Sequence, residues 1–353
     1  MTGFIEDSKP ADALWALILR SQVYCGEIED IICPKVPKDI TIISAEDIPG
    51  TDFITVLGDK VPVLAGKRVN YAGEPILLIA GPELDKIRSF ALQITVTYKP
   101  EKPSLPDDIQ KDIVFEKNYS LGKPDKIFKK AFQIIEGEYI TPWQEHHISD
   151  AGGALAVPER DTVRIQCPSA WLFHVRDCVA DACKIPRQKV IVEQSKMSAS
   201  FDGRIWYPSL LAVHAALLAR KTGKPVFLLT PRDEELAYTP KRLPVTCKLK
   251  TAVDPDGNLL AIEAEALVNT GAYAVMTEEL SFRLACGIKG IYKCDNFSIS
   301  VKCYRTNYPP FNTFRGLAAA QGFFAEGAVF VYLPKIFTGR VVSPVALGKS
   351  LAM

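Results

Sequence analysis

The sequence has no excess of charge of either sign. Its 42 lysines and arginines stand against 41 aspartates and glutamates, a net +1. Nucleic-acid binding proteins carry a basic patch or stripe, and none is visible here, so neither nucleic acid nor an anionic membrane surface is an expected partner. No uncharged apolar stretch reaches the ~18 residues that a membrane-crossing helix needs. The nearest candidate, Ala318 to Leu333, is interrupted by Gln321 and Glu326. The opening Met1-Thr2-Gly3-Phe4-Ile5-Glu6-Asp7 has acids where a secretory signal has basic residues ahead of an apolar core. The expected compartment is therefore the cytoplasm. Nine cysteines, at 25, 33, 167, 178, 183, 247, 286, 294 and 303, include no C-x-x-C pair. That excludes the usual spacing of zinc and iron–sulfur sites and leaves the cysteines as small buried apolar residues.

Common catalytic signatures are missing as well. There is no G-x-S-x-G, P-loop, H-E-x-x-H or G-x-G-x-x-G. Histidines number four. His146 and His147 are adjacent, so on a strand they face opposite sides and do not share a metal. His174 and His214 sit in helical patterns and read as structural. Asp254-Pro255-Asp256-Gly257 lacks the further acids of a calcium loop and reads as a turn. No metal-ligand set is expected.

What is present is ordinary globular composition, 48% hydrophobic and 24% charged, long enough for two or three domains. Ala13 to Leu19 and Glu74 to Ala80 read as buried strands. Pro82 opens a helix with Leu84, Ile87, Phe90 and Ala91 on one face, and Ile94 to Tyr98 follows as a strand. These make an α+β unit ending near Pro100. Residues 101–121 mix proline and charge with few apolar anchors and read as a surface linker. Beyond it, a helix is expected at Lys126 to Phe132 and a strand at Ile134 to Ile140. Ser169 and Ser209 read as N-caps of helices rather than as nucleophiles, and Pro225 to Thr230 as a strand. Val245 to Val253 and Asn258 to Val268 read as a hairpin. After Phe324 no amphipathic helix is expected to continue, and the tail reads as a divergent segment, the product of a frameshift, truncation or split gene, or else a short C-terminus that packs as a strand. In Tyr308-Pro309-Pro310-Phe311-Asn312-Thr313-Phe314-Arg315-Gly316, an arginine stands in a loop beside a glycine. Its planar fork suits an anionic group; pairing with a local carboxylate is the other reading.

Several segments together resemble the molybdenum hydroxylases of the xanthine dehydrogenase/aldehyde oxidase family. Gly66-Lys67-Arg68-Val69-Asn70-Tyr71-Ala72-Gly73-Glu74-Pro75 is similar to the G-x-x-V-x-Y-x-G-x-P signature of their hammerhead domain. Ala45 to Gly50 and Val96 to Pro100 fit the same domain. Gln144-Glu145-His146, Lys221 to Val226, Lys241 to Pro244 and Thr270 to Tyr273 resemble parts of the first cofactor-binding domain. Thr306-Asn307 through Phe314-Arg315-Gly316 resembles T-N-x-P-P-x-x-x-F-R-G. The resemblance runs over about residues 2 to 324. It implies an α+β fold: an aldehyde oxidase/xanthine dehydrogenase a/b hammerhead domain at 4–100, a linker at 101–121, an incomplete first molybdopterin-binding domain at 122–324 and a divergent tail at 325–353.

The resemblance also implies a chemistry. In the family a molybdenum–pyranopterin cofactor (Moco) hydroxylates an electron-poor carbon of a purine or an aldehyde, and electrons leave through iron–sulfur clusters and FAD on partner subunits. The residues it singles out are Arg315 of the F-R-G segment, Arg283, which matches by its spacing a substrate-contacting arginine of the xanthine-oxidising members, and Asp150, which stands where those members keep a glutamate. Phe201 and Gly203 are what remains of a cofactor-binding loop G-G-G-F-G-G-K-E, written here Ser198-Ala199-Ser200-Phe201-Asp202-Gly203-Arg204-Ile205. Replacing its glycines narrows the backbone available for close approach, and the family's glutamine at the metal falls at Ala170. The family's catalytic glutamate lies in a second domain downstream of this chain, so a separate chain supplying the C-terminal half is an expected partner. The alternative is a chain that has lost the cofactor, an inactive remnant or a scaffold for redox subunits.

Overall fold

The computed structural model describes residues 3–105, 112–199 and 201–338. Among them are seven helices: α1 (Leu84–Ala91), α2 (Pro124–Phe128), α3 (Leu172–Cys183), α4 (Tyr207–Thr222), α5 (Arg232–Tyr238), α6 (Thr277–Lys289) and α7 (Ala319–Thr338). The chain divides into two compact units. One is Met1–Leu105, Glu145–Pro240 and Asn307–Pro310; the other is Pro106–Gln144, Lys241–Thr306 and Phe311–Met353.

The first unit is built on a seven-stranded mixed sheet, in the order Val190–Gln194, Thr162–Cys167, Gly153–Glu159, Val226–Leu229, Leu14–Arg20, Pro75–Gly81, Thr41–Ile43. Pro75–Gly81 is buried at all seven positions, as its unbroken apolar run requires of a strand covered on both faces. Ile87, Phe90 and Ala91 of α1 join the same core as Ile76, Leu77 and Ile79. Helix α4 is buried from Tyr207 to Ala219. A helix apolar all round belongs inside, and it stops at Gly223, whose φ of +66° closes the C-terminus.

The expected self-contained unit at 4–100 differs from this arrangement. Leu14–Arg20 is antiparallel to Pro75–Gly81 on one side and parallel to Val226–Leu229 on the other. An apolar strand has two hydrogen-bonding edges. Here the local chain serves one and a segment some two hundred residues on serves the other, which no local pattern shows.

The second unit carries a five-stranded sheet, in the order Gln133–Thr141, Val245–Val253, Leu259–Asn269, Phe297–Tyr304, Ile113–Leu121. The expected hairpin is present. Asp254 Oδ1 accepts from the Asp256 and Asn258 N–H groups at 2.9 and 2.8 Å, an Asx turn. The linker expectation is corrected: Ile113–Leu121 is an edge strand paired antiparallel with Phe297–Tyr304. Only one face of an edge strand meets a core, so its charges masked it. Residues 106–111 lie outside the described residues.

The tail expectation is corrected too. Residues 319–338 form α7, so the segment after Phe324 is helical, and 339–353 lie outside the described residues. The run shows no 3.6 period because small residues set how the two helices meet. A Cβ on Gly322 would come within 2.6 Å of the Leu284 carbonyl oxygen, and one on Gly287 within 2.4 Å of the Ala319 oxygen. The backbones of α6 and α7 touch there. The serine caps are displaced: Trp171 precedes α3, with Ser169 Oγ accepting its N–H at 3.0 Å, while Ser209 lies within the first turn of α4 and bonds His174 Nδ1 at 2.7 Å.

Candidate functional site

Of the five residues singled out in the sequence, Asp150, Phe201 and Gly203 belong to the first unit, and Arg283 and Arg315 to the second. Asp150 is buried at the end of a loop that also holds His146 and His147. This loop is not the strand expected there, and His147 takes a left-handed φ of +52°. The Asp150 carboxylate is fully engaged. Oδ1 accepts the Ser198 backbone N–H at 2.9 Å and a short bond from its hydroxyl, and Oδ2 lies 3.3 Å from Arg204 Nη2. The same Nη2 donates to the Asp150 backbone oxygen at 2.5 Å and stands 3.4 Å from Glu235 Oε1. Glu235 Oε2 accepts from Arg232 Nη1 at 2.8 Å, and Arg232 further donates to the oxygens of Ile148 and Ser149 at 2.7 and 3.0 Å. Burial pushes the Glu235 carboxyl above the ordinary range, while Arg204 and Arg232 oppose that shift. Two buried acids thus face two arginines, and Gly152 leaves the space: a Cβ there would lie 3.0 Å from Arg204 Nη1.

Phe201 and Gly203 flank this cluster. The Phe201 carbonyl oxygen accepts the Arg204 N–H at 2.8 Å. Gly203 is explained by a neighbour, since a Cβ would come 2.9 Å from the His146 ring. Ser200 lies outside the described residues. Ala170, at the family's glutamine position, is exposed and gives its N–H to the Arg204 oxygen at 2.8 Å.

In the second unit the loop before α7 is held from below. Arg242 lies over the Phe314 ring at 4.0 Å, donates through Nη2 to the Arg315 backbone oxygen at 3.1 Å, and through Nη1 to Gln321 Oε1 at 3.1 Å. The Arg315 side chain is exposed. Asn312 Nδ2 donates to the Val275 oxygen at 2.6 Å, and its Oδ1 is buried without a hydrogen-bond partner. Gly316, Leu317 and Ala318 follow with φ of +93°, +45° and +69°. Ala318 thus holds a left-handed backbone that its side chain opposes and a glycine would adopt freely. Arg283 is also exposed. It faces out from α6 and pairs with Glu279 one turn back at 2.5 Å.

Buried histidines are structural, as expected: His214 Nε2 bonds the Val63 oxygen at 2.7 Å and His174 Nε2 the Thr55 oxygen at 2.9 Å. Seven cysteines are buried, while Cys33 and Cys286 are exposed. A cavity of about 320 Å³ in the first unit, lined in part by Trp15, Leu84 and Thr230, contains none of the five expected residues. No helix among the described residues is long and apolar enough to cross a membrane.

The sequence model described as the molybdopterin cofactor-binding domain matches residues 105–329. The chain belongs to that family. The match bears out the resemblance, read from the motifs, to the xanthine dehydrogenase/aldehyde oxidase family. Aldehyde oxidase 2 of Macaca fascicularis is 27% identical over 299 residues, covering 82% of this chain and 22% of that protein. A probable xanthine dehydrogenase component of Bacillus subtilis (strain 168) is 29% identical over 328 residues, covering 88% of this chain and 44% of that one. The aldehyde oxidoreductase of Desulfovibrio gigas has the same fold, with a TM-score of 0.87 at 23% identity, over 98% of this chain and 41% of that one. The chain thus spans less than half the length of each.

The residues present fit the family's cofactor unevenly. An exposed arginine on a braced loop, three residues after a buried acceptor that a bound N–H would satisfy, suits an anionic group rich in donors. Ser198 and Arg204 do not fit, because the donors that they place in the former glycine-rich loop are turned onto Asp150. Sequence reasoning gave no role to Arg204, Glu235 or Arg242. The one visible sign was a charge pair, Asp202 and Arg204, in a segment whose pattern calls for glycine.

Proposed function

We propose that this chain is the N-terminal part of a molybdenum-dependent hydroxylase acting on a purine or an aldehyde in the cytoplasm. Iron–sulfur and FAD subunits accept its electrons. The observation that carries this reading is the Phe314-Arg315-Gly316 loop, whose backbone is braced by Arg242 and whose Arg315 is exposed. Arg315 would hold an anionic part of the pyranopterin, whose molybdenum supplies the redox chemistry when bound. Free cysteines throughout agree with a reducing compartment. Arg283 weakens the choice of purine over aldehyde, because Glu279 already neutralises it. The test is molybdenum per chain, by elemental mass spectrometry, on protein purified anaerobically from a host that makes the cofactor. The expected result is near-stoichiometric metal, falling about 10- to 100-fold in Arg315→Ala with an unchanged melting temperature, as loss of one or two charge-assisted bonds predicts.

A second reading is favoured by the inward-turned donors of Ser198 and Arg204: an inactive remnant or a scaffold that binds redox subunits. Folded protein without metal supports it and overturns the first.

A further inference from the structure

The segment that resembles the family's cofactor-binding loop is bonded here to several distant parts of the first unit. Three observations meet on Arg204. Its guanidinium is buried, with only 4% of the side chain exposed. Its partners come from three separate places in the chain, Asp150 with its own backbone oxygen, Glu235 of α5, and the Phe201 oxygen that its N–H bonds. Its own oxygen takes the N–H of Ala170, at the position expected to face the metal. The Nε that remains is buried from solvent. Asp150, meanwhile, is buried, and both its carboxylate oxygens accept from Ser198 or Arg204.

We infer that Ser198 and residues 201–204 of this chain form a structural clasp, closed by Arg204 on Asp150 and Glu235, and do not form a cofactor cradle. Asp150 is then a positioning residue for that clasp and not a substrate contact. The physical reason is a matter of alternatives. An uncompensated buried guanidinium is far more costly than a paired one, so once arginine occupies 204 the loop must fold back onto acids. A glycine loop has no such obligation and stays open to a ligand. Serine at 198 strengthens the choice by giving Asp150 both a backbone and a hydroxyl donor.

The inference rests on the family assignment but not on the chain's holding metal. Its test is thermal unfolding of the full chain for Arg204→Met, Asp150→Asn and the double variant, with molybdenum per chain read on the same preparations. The clasp predicts a melting temperature lowered by roughly 10 °C in each single variant, from the usual cost of stranding one buried charge. It also predicts a double variant less affected than the two losses summed. Ser198→Ala, which keeps the backbone bond and folds in any case, should lose roughly 2–4 °C and no molybdenum. A melting temperature unchanged in Arg204→Met, or metal lost in Ser198→Ala with the melting temperature intact, overturns the clasp. If the wild-type protein holds no metal, the proposed function fails while the unfolding cycle still decides this inference.

Discussion

The first unit keeps an imidazole inside a helix, and the second keeps a carboxyl inside another. His214 of α4 is fully enclosed, gives one N–H to the Val63 oxygen, and is held neutral by burial, which pulls its pKa down to about 4. Glu326 of α7 is buried with Oε1 unpartnered, its carboxyl set against Gly290 at the end of α6. Burial lifts its pKa to about 7, with Lys289 pulling the other way. The cause is one and the same, since a dry interior disfavours whichever form is charged. The consequences run oppositely. A buried base makes a fold sensitive to acid, and a buried acid makes it sensitive to alkali.

The largest expected effect follows from His214. Its folded pKa lies below the unfolded value of 6.5, so the unfolded chain binds more protons as pH falls. The stability lost to this group is nil above about 6.5 and grows down to about 4, reaching on the order of 3 kcal/mol. The stability difference between His214→Gln and the wild type should move in the variant's favour by that amount from pH 6.5 down to pH 4; a difference independent of pH would remove the first half of the comparison. Glu326 is the mirror case. Its folded pKa is raised from 4.5, so stability is lost as pH rises from about 4.5 to 7, by roughly 2 kcal/mol once solvent screening of this less deeply enclosed group is allowed for. Glu326→Gln should melt higher than wild type at pH 7.5 and equally at pH 4.5. Equal melting at both values would mean that the carboxyl finds water or a cation.

Smaller effects sharpen the contrast within the second unit. Ala318 holds a left-handed φ of +69° that glycine adopts freely. Ala318→Gly should therefore raise stability by up to about 1 kcal/mol in denaturant titration, and a loss would show that the buried methyl packs usefully. Arg283→Ala removes only an exposed pair on α6. It should change stability by less than about 0.5 kcal/mol, and a larger loss would give Arg283 a structural role that its exposure does not suggest.

Much of this molecule was legible in its sequence, and the boundary of legibility has a physical shape. Periodicity found Pro75–Gly81, α1, α4 and the hairpin after Val245, because each meets a core along its whole length. It missed Ile113–Leu121 and α7. One is an edge strand with half its face in water, and the other packs through glycine backbone. Family motifs drew attention to Arg315, Asp150 and Gly203 but gave no sign of the neighbours that two of them have. Asp150 answers to Arg204 and Gly203 to the His146 ring. Both partners lie far off in sequence or belong to residue types that the motif does not specify.

The pairing of Leu14–Arg20 with Val226–Leu229 also sets a timetable for synthesis. A nascent chain emerging from the ribosome makes its central strand early and the parallel partner some two hundred residues later. Until then that apolar edge stays open to any passing strand. High contact order slows folding, and here it is concentrated in a strand that emerges well before its partner. A ribosome stalled before Val226 should leave a chain that holds on to chaperones, and one stalled well past Leu229 a chain that lets them go.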